Sequence, residues 1–163
     1  MTVRKKTTTK KRTRAGKLHS NAKKTIYNGI EFDSQLEVLM YKLLKIAGIE
    51  FKYIGKDKEE SYLVQEEFQY EGECIERAQK RSKQMADRRK VDKAVYTPDF
   101  VGENEEWFIE VKGRRLGDFG LRWRMFKKVM NQRNPVPTLF MPTKKDDCEQ
   151  VIEILKQKGY GRN

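Results

Sequence analysis

Two apolar runs with charges set inside them constrain this chain more than any other stretch: Val95-Tyr96-Thr97-Pro98-Asp99-Phe100-Val101 and Trp107-Phe108-Ile109-Glu110-Val111-Lys112. Gly102-Glu103-Asn104-Glu105 separates them, so the segment reads as a β-hairpin. Period-2 alternation puts Glu110 and Lys112 on one face of the second strand, and a hairpin brings Asp99 to the same end of that face. Charged side chains in apolar runs are costly unless they are paired or bound to metal. Two carboxylates and an ammonium together suit a hard divalent cation with a water beside it. Solvated strand charges are the competing reading, because 37% of the chain is charged.

The flanks supply the context. A chain of 163 residues has room for one domain with a real core. Tyr27 to Phe32 reads as a turn or hairpin around Asn28-Gly29. A helix is expected from about Ser34 to Ala47, with Leu36, Leu39, Met40, Leu43 and Leu44 at helical spacing and Gly48 as its stop. Ile49–Ile54 and Tyr62–Tyr70 read as strands. A basic helix is expected over Phe119–Asn131, with a stripe of Leu121, Met125, Phe126, Val129 and Met130; Trp123 and Phe126 are read as core. Thr138–Met141 reads as a buried strand. A last helix, capped by Asp146 or Asp147, runs to about Lys158 and packs through Val151, Ile152, Ile154 and Leu155. Residues 71–94 form a charged insertion, read as a helix or a mobile loop, with DNA contact weighed against a solvated basic face. The resulting order is helix, three strands, helix, strand, helix, an α/β fold with a mixed central sheet flanked by helices.

Charge is unevenly distributed. Net charge is +12 with a pI near 9.7, which points to an anionic partner. Residues 1–24 hold ten Lys and Arg and no acid; taking these from 36 leaves 26 basic against 24 acidic residues. Residues 1–25 therefore read as a disordered basic arm and 26–163 as the folded domain. Lys10, Lys11, Arg12 and Arg14 in that arm are candidate phosphate contacts, and a targeting signal or a solubilising tail stays open. The two cysteines, Cys74 and Cys148, are far apart and the one histidine, His19, lies in the arm, which argues against zinc, histidine-nuclease and Cys–His chemistry. Both thiols are expected to be free, in a cytoplasmic setting. No run approaches a membrane span.

The fragment PD…EVK resembles the signature of the PD-(D/E)xK nuclease superfamily, whose common core has the order αβββαβ. Within it, Phe32-Asp33-Ser34-Gln35-Leu36-Glu37, Tyr96-Thr97-Pro98-Asp99-Phe100 and Phe108-Ile109-Glu110-Val111-Lys112-Gly113 look most like the phage endonuclease I family of Holliday-junction resolvases. That resemblance implies an active-site quartet of Glu37, Asp99, Glu110 and Lys112, and two ions of Mg²⁺ or Mn²⁺. It also implies branched DNA as substrate, in phage or prophage recombination. Asp99 and Glu110 would bind metal, the Val111 carbonyl would add a ligand, and Lys112 would orient water or offset charge. Ser34-x-x-Glu37 also matches a capping box, so Glu37 is either a ligand or a cap. The charged segment before Asp99 departs from the family pattern.

Arg114, Arg115, Arg122, Arg124, Lys127 and Lys128 follow the catalytic strand and are candidate phosphate contacts. Two matched cuts on a two-fold substrate call for a homodimer. The alternatives are a nicking, flap or transposon-end endonuclease of the same superfamily, and a non-catalytic DNA-binding module.

Overall fold

Four short strands and three helices place the charged residues of the second hairpin at one end of a sheet. The computed structural model describes residues 24–55, 60–77, 84–113 and 117–162. The arm residues Lys10, Lys11, Arg12 and Arg14, and with them Arg114 and Arg115, lie outside the described residues.

Strands β1 (Thr25–Tyr27) and β2 (Ile30–Phe32) form the expected hairpin. Asn28 and Gly29 both take positive φ, 51° and 76°, as a two-residue turn of matching twist requires. Helix α1 (Gln35–Ile46) follows, and Ser34 caps it by accepting the Glu37 N–H. Gly48, at φ 64°, lets the chain leave it. Strand β3 (Phe51–Tyr53) comes next.

The chain then runs out and back through a two-stranded ribbon. Its outgoing side is β4 (Tyr62–Gln65), β5 (Phe68–Gln69) and β6 (Ile75–Arg77); its return is β7 (Met85–Asp87), β8 (Lys90–Val91) and β9 (Ala94–Tyr96). The pairs β4–β9, β5–β8 and β6–β7 are all antiparallel and nest inside one another. The segment 71–94, expected as a helix or a loop, instead carries β6, β7, β8 and the start of β9 among its described residues. Its pieces are two or three residues long and largely exposed, so no one-sided apolar alternation marked them. Tyr62–Tyr70 likewise belongs to this ribbon and not to the central sheet.

Strand β10 (Phe100–Gly102) and strand β11 (Trp107–Ile109) are the second hairpin. The run 95–101 changes partner at Pro98, which has no N–H to offer a ladder: β9 pairs with the ribbon, β10 with β3 and β11. Gly102 lets the Trp107 indole lie against the backbone, where a Cβ would come within 2.8 Å of it. Helix α2 (Phe119–Met130), strand β12 (Thr138–Phe140) and helix α3 (Lys145–Gln157) complete the order. The sheet reads β12-β11-β10-β3, with β11 and β12 parallel and the rest antiparallel, a mixed sheet.

Alternation sorts the sheet into two faces. Phe100, Trp107, Ile109 and Phe140 pack with Met40 and Leu44 of α1 and Val151, Ile152 and Leu155 of α3. Val101 and Phe108 face the other way, onto Phe119, Trp123, Phe126 and Met130 of α2. Trp123 and Phe126 are core, as expected. Leu121 and Ile154 are exposed, so neither belongs to a packing stripe: 3.6-residue spacing carries them past the buried face. Asp147 caps α3 by accepting the Thr143 and Lys144 N–H groups. Among the described residues no helix is long and apolar enough to cross a membrane.

Candidate active site

The β10–β11 register ends at Phe100–Ile109, so one step further Asp99 stands opposite Glu110. No ordinary ladder bond closes that step. Instead the Val111 N–H donates to Asp99 Oδ2 at 2.7 Å, and the carboxylate substitutes for a backbone acceptor. Glu110 N–H donates to the Phe140 carbonyl and Lys112 N–H to the Pro142 carbonyl, each at 3.0 Å, so β12 holds this strand end in place. Glu110 is only 5% exposed, and Lys112 Nζ lies 3.5 Å from its Oε1. The same ammonium sits over the Phe119 ring at 4.7 Å. The three residues singled out in the hairpin therefore do converge.

Glu37 approaches from α1 and is 6% exposed. Its carboxylate accepts from Ser34 Oγ at 2.8 Å, from the Asp33 N–H at 3.1 Å and from Tyr53 Oη at 3.1 Å. The capping arrangement is real, but its backbone donor is Asp33, one residue before the N-cap Ser34 whose N–H a capping box would use. Glu37 also lies close enough to act electrostatically on Asp99 and Glu110.

Crowding shows in the protonation equilibria. Burial, then the charges of Glu110 and Glu37, push the Asp99 carboxyl well above its ordinary range, against the opposing Val111 hydrogen bond and Lys112 charge. Burial raises Glu110 as well; Lys112 opposes the shift. Two tyrosines escaped the sequence reading. Tyr53 and Tyr96 both have phenols raised by burial and by these acids. Tyr96 is 5% exposed, borders Glu110, and its hydroxyl finds no partner of hydrogen-bond geometry. The signal for Tyr96 was its position on the strand leading into Asp99; Tyr53 gave none.

The donor set is all oxygen, which suits a hard cation. Among the described residues no group of three or more His, Cys, Asp or Glu side chains is placed to hold a metal ion. Glu37 accepts three hydrogen bonds near its own helix terminus, and its charge also acts on Asp99 and Glu110. The pair Asp99 and Glu110 fits a magnesium-like ion, which is bound through one or two carboxylates and completes its shell with water and substrate oxygen. The buried Tyr96 hydroxyl borders Glu110 and sets one more oxygen beside that pair. Val111 reaches Asp99 through its N–H; the carbonyl role expected of it is a proposal.

Arg122, Arg124, Lys127 and Lys128 are all exposed on α2. Arg122 pairs with Asp118 at 2.7 Å, Arg124 bonds the Gly120 carbonyl, and Lys127 lies over Trp123.

A family profile described as protein of unknown function, DUF1064, matches residues 17–136. The chain belongs to that family. The matched span includes Glu37, Asp99, Glu110, Lys112 and the whole of α2. No curated protein and no solved structure matches the chain. Family membership therefore carries no named activity, and the chemistry rests on the geometry of the DUF1064 chain itself.

Proposed function

We propose that this protein is a metal-dependent DNA endonuclease that hydrolyses phosphodiester bonds in branched DNA, on a restriction-endonuclease-like core. The observation that carries the reading is the meeting of Asp99, Glu110 and Lys112 at the end of one hairpin, two buried acids that repel each other with a partly exposed ammonium beside them. Acids held against one another at a cost in stability are what a cation site needs and what a plain phosphate-binding surface avoids. Outside the β1–β2 hairpin and the ribbon, the order α1-β3-β10-β11-α2-β12-α3 supports the same reading.

Bound Mg²⁺ or Mn²⁺ supplies charge neutralisation at the phosphate and lowers the pKa of water. Asp99 and Glu110 hold it, and the Val111 N–H fixes the orientation of Asp99. Lys112, a third exposed, reaches from Glu110 towards solvent, where it offsets phosphate charge or takes up a proton. Phe119 keeps its ammonium on the α2 side. Arg122, Arg124, Lys127 and Lys128, with the basic arm, bind flanking phosphates. Paired cuts on a two-fold junction are made by a homodimer.

The test is a panel of four-way junction, flap, nicked and plain duplex DNA with Mg²⁺. Wild type should cut the branched members, and Asp99→Asn, Glu110→Gln and Lys112→Ala should each abolish cutting while binding persists. Ca²⁺ should support binding with little turnover. A variant that cuts at the wild-type rate would remove its residue from the site; no metal-dependent cutting by wild type would leave a binding module.

A further inference from the structure

An open groove of about 470 Å³ runs along α2 beside β12, lined by Phe119, Gly120, Trp123, Arg124, Leu139 and Met141, with Lys127 at its rim. Its volume lies within the range of about 300–1,000 Å³ typical of small-ligand sites. Two contacts connect it to the candidate centre. The Lys112 ammonium lies over Phe119, which lines the groove. Trp123 packs against Tyr96 at 5.7 Å between centroids, and the Tyr96 hydroxyl borders Glu110. The groove is thus one side chain away from each end of the Glu110–Lys112 pair.

The lining is mixed in a way phosphate binding alone does not require. Leu139 on the sheet's edge strand and Met141 just after it are only half-buried and make an apolar floor, with the buried Phe119 at its end under the Lys112 ammonium. Arg124 and Lys127 are exposed cations beside it. A ligand that satisfies both is an anion carrying a flat apolar group, which describes a nucleotide. Bases inside a duplex are stacked and cannot rest on such a floor; an unpaired or extruded base can.

Resting on the nuclease reading above, we propose that this groove takes one unpaired nucleotide next to the scissile phosphate. Its base lies on Leu139 and Met141, and its phosphates on Arg124 and Lys127. The substrate class is then DNA whose duplex is interrupted by unpaired bases at the cut.

The test compares two junction-bearing DNA duplexes, identical except that the unpaired position next to the cut holds an adenine or an abasic site. Phosphate contacts are the same in both. Affinity is measured in Ca²⁺ by fluorescence anisotropy. The adenine substrate should bind about ten-fold more tightly than the abasic one, as expected for a single base stacking on a protein surface. Gly120 lines the groove, and a Cβ there would meet nothing within 4 Å. Gly120→Leu, which replaces a glycine inside a helix, should therefore fold with a melting temperature no lower than that of wild type, fill the groove and erase the difference between the two substrates. Equal affinity of wild type for both DNAs overturns the groove proposal and leaves the nuclease reading standing. A base preference that survives in folded Gly120→Leu likewise moves the base elsewhere. Absence of binding to either DNA overturns both readings.

Discussion

Asp99 Oδ2 accepts the Val111 N–H at 2.7 Å, so a side chain closes the hairpin where the backbone ladder stops. Asp99 is therefore a structural acceptor and a candidate ligand at once, and the two roles separate by substitution. Asp99→Asn keeps an oxygen for Val111 and removes a charge repelled by Glu110 and Glu37. Its melting temperature without metal, at neutral pH, should equal or exceed that of wild type, with cleavage lost. Asp99→Ala strands the Val111 N–H and should cost about 1–3 kcal/mol by chemical denaturation. An asparagine variant as unstable as the alanine one would mean that the charge itself supports the fold.

Burial of these acids, with the same repulsion added, sets a pH dependence. Asp99 and Glu110 are carboxyls raised above the roughly pH 4 of unfolded chains. In the interval between the two values the folded chain holds more protons, so stability falls as pH rises through it. The contribution is fully present below the unfolded value and lost above the folded ones. Glu105, held low by Tyr62 and Arg133 against its own burial, acts the other way, losing its contribution as pH falls. Thermal melts of the metal-free protein should thus decline from mildly acidic to neutral pH, and Mg²⁺ should recover the loss most strongly at the neutral end. A Mg²⁺ effect independent of pH would contradict the site.

The thiols give a simpler check. Cys148 is fully buried at the start of α3, and burial, with Asp147 and Glu149 adding, pushes it up to about 11. Cys74 is partly exposed on the ribbon, and both are free. An aromatic disulfide reagent at pH 8 should react with one thiol in the native protein and with the second only after unfolding. Two thiols reacting together in the native state would show that α3 does not pack as described.

The centre was legible because its residues obey strong local rules. A charged side chain in an apolar strand run is rare enough to stand out, and alternation then orders Glu110, Val111 and Lys112 without further knowledge. The helix after Ser34 was legible from its cap and its Gly48 stop. The ribbon was not, since its stability comes from cross-strand pairing of short exposed pieces and not from a buried face. Tyr53 and the Asp33 N–H were invisible for a related reason: each meets Glu37 only once β3 and α1 have packed.

Glu37 is the residue on which structure and chemistry make opposing demands. Its three hydrogen bonds, from Asp33, Ser34 and Tyr53, explain its burial without a metal. Its charge nonetheless acts on Asp99 and Glu110, where a plain cap would be better placed further off. Glu37→Gln keeps an oxygen for Asp33 and Tyr53, and the Ser34 hydroxyl can turn to accept from the amide. Melting should therefore be near normal. Ser34→Ala removes the cap acceptor for the Glu37 N–H and should cost about 1 kcal/mol with cleavage mostly retained. If Glu37 serves the metal site, Glu37→Gln weakens Mg²⁺ binding by calorimetry and strongly reduces cleavage despite its stability, and that is the outcome expected. Normal Mg²⁺ affinity and normal cleavage in Glu37→Gln would confine Glu37 to the helix terminus, leaving Asp99, Glu110 and Lys112 as the active residues.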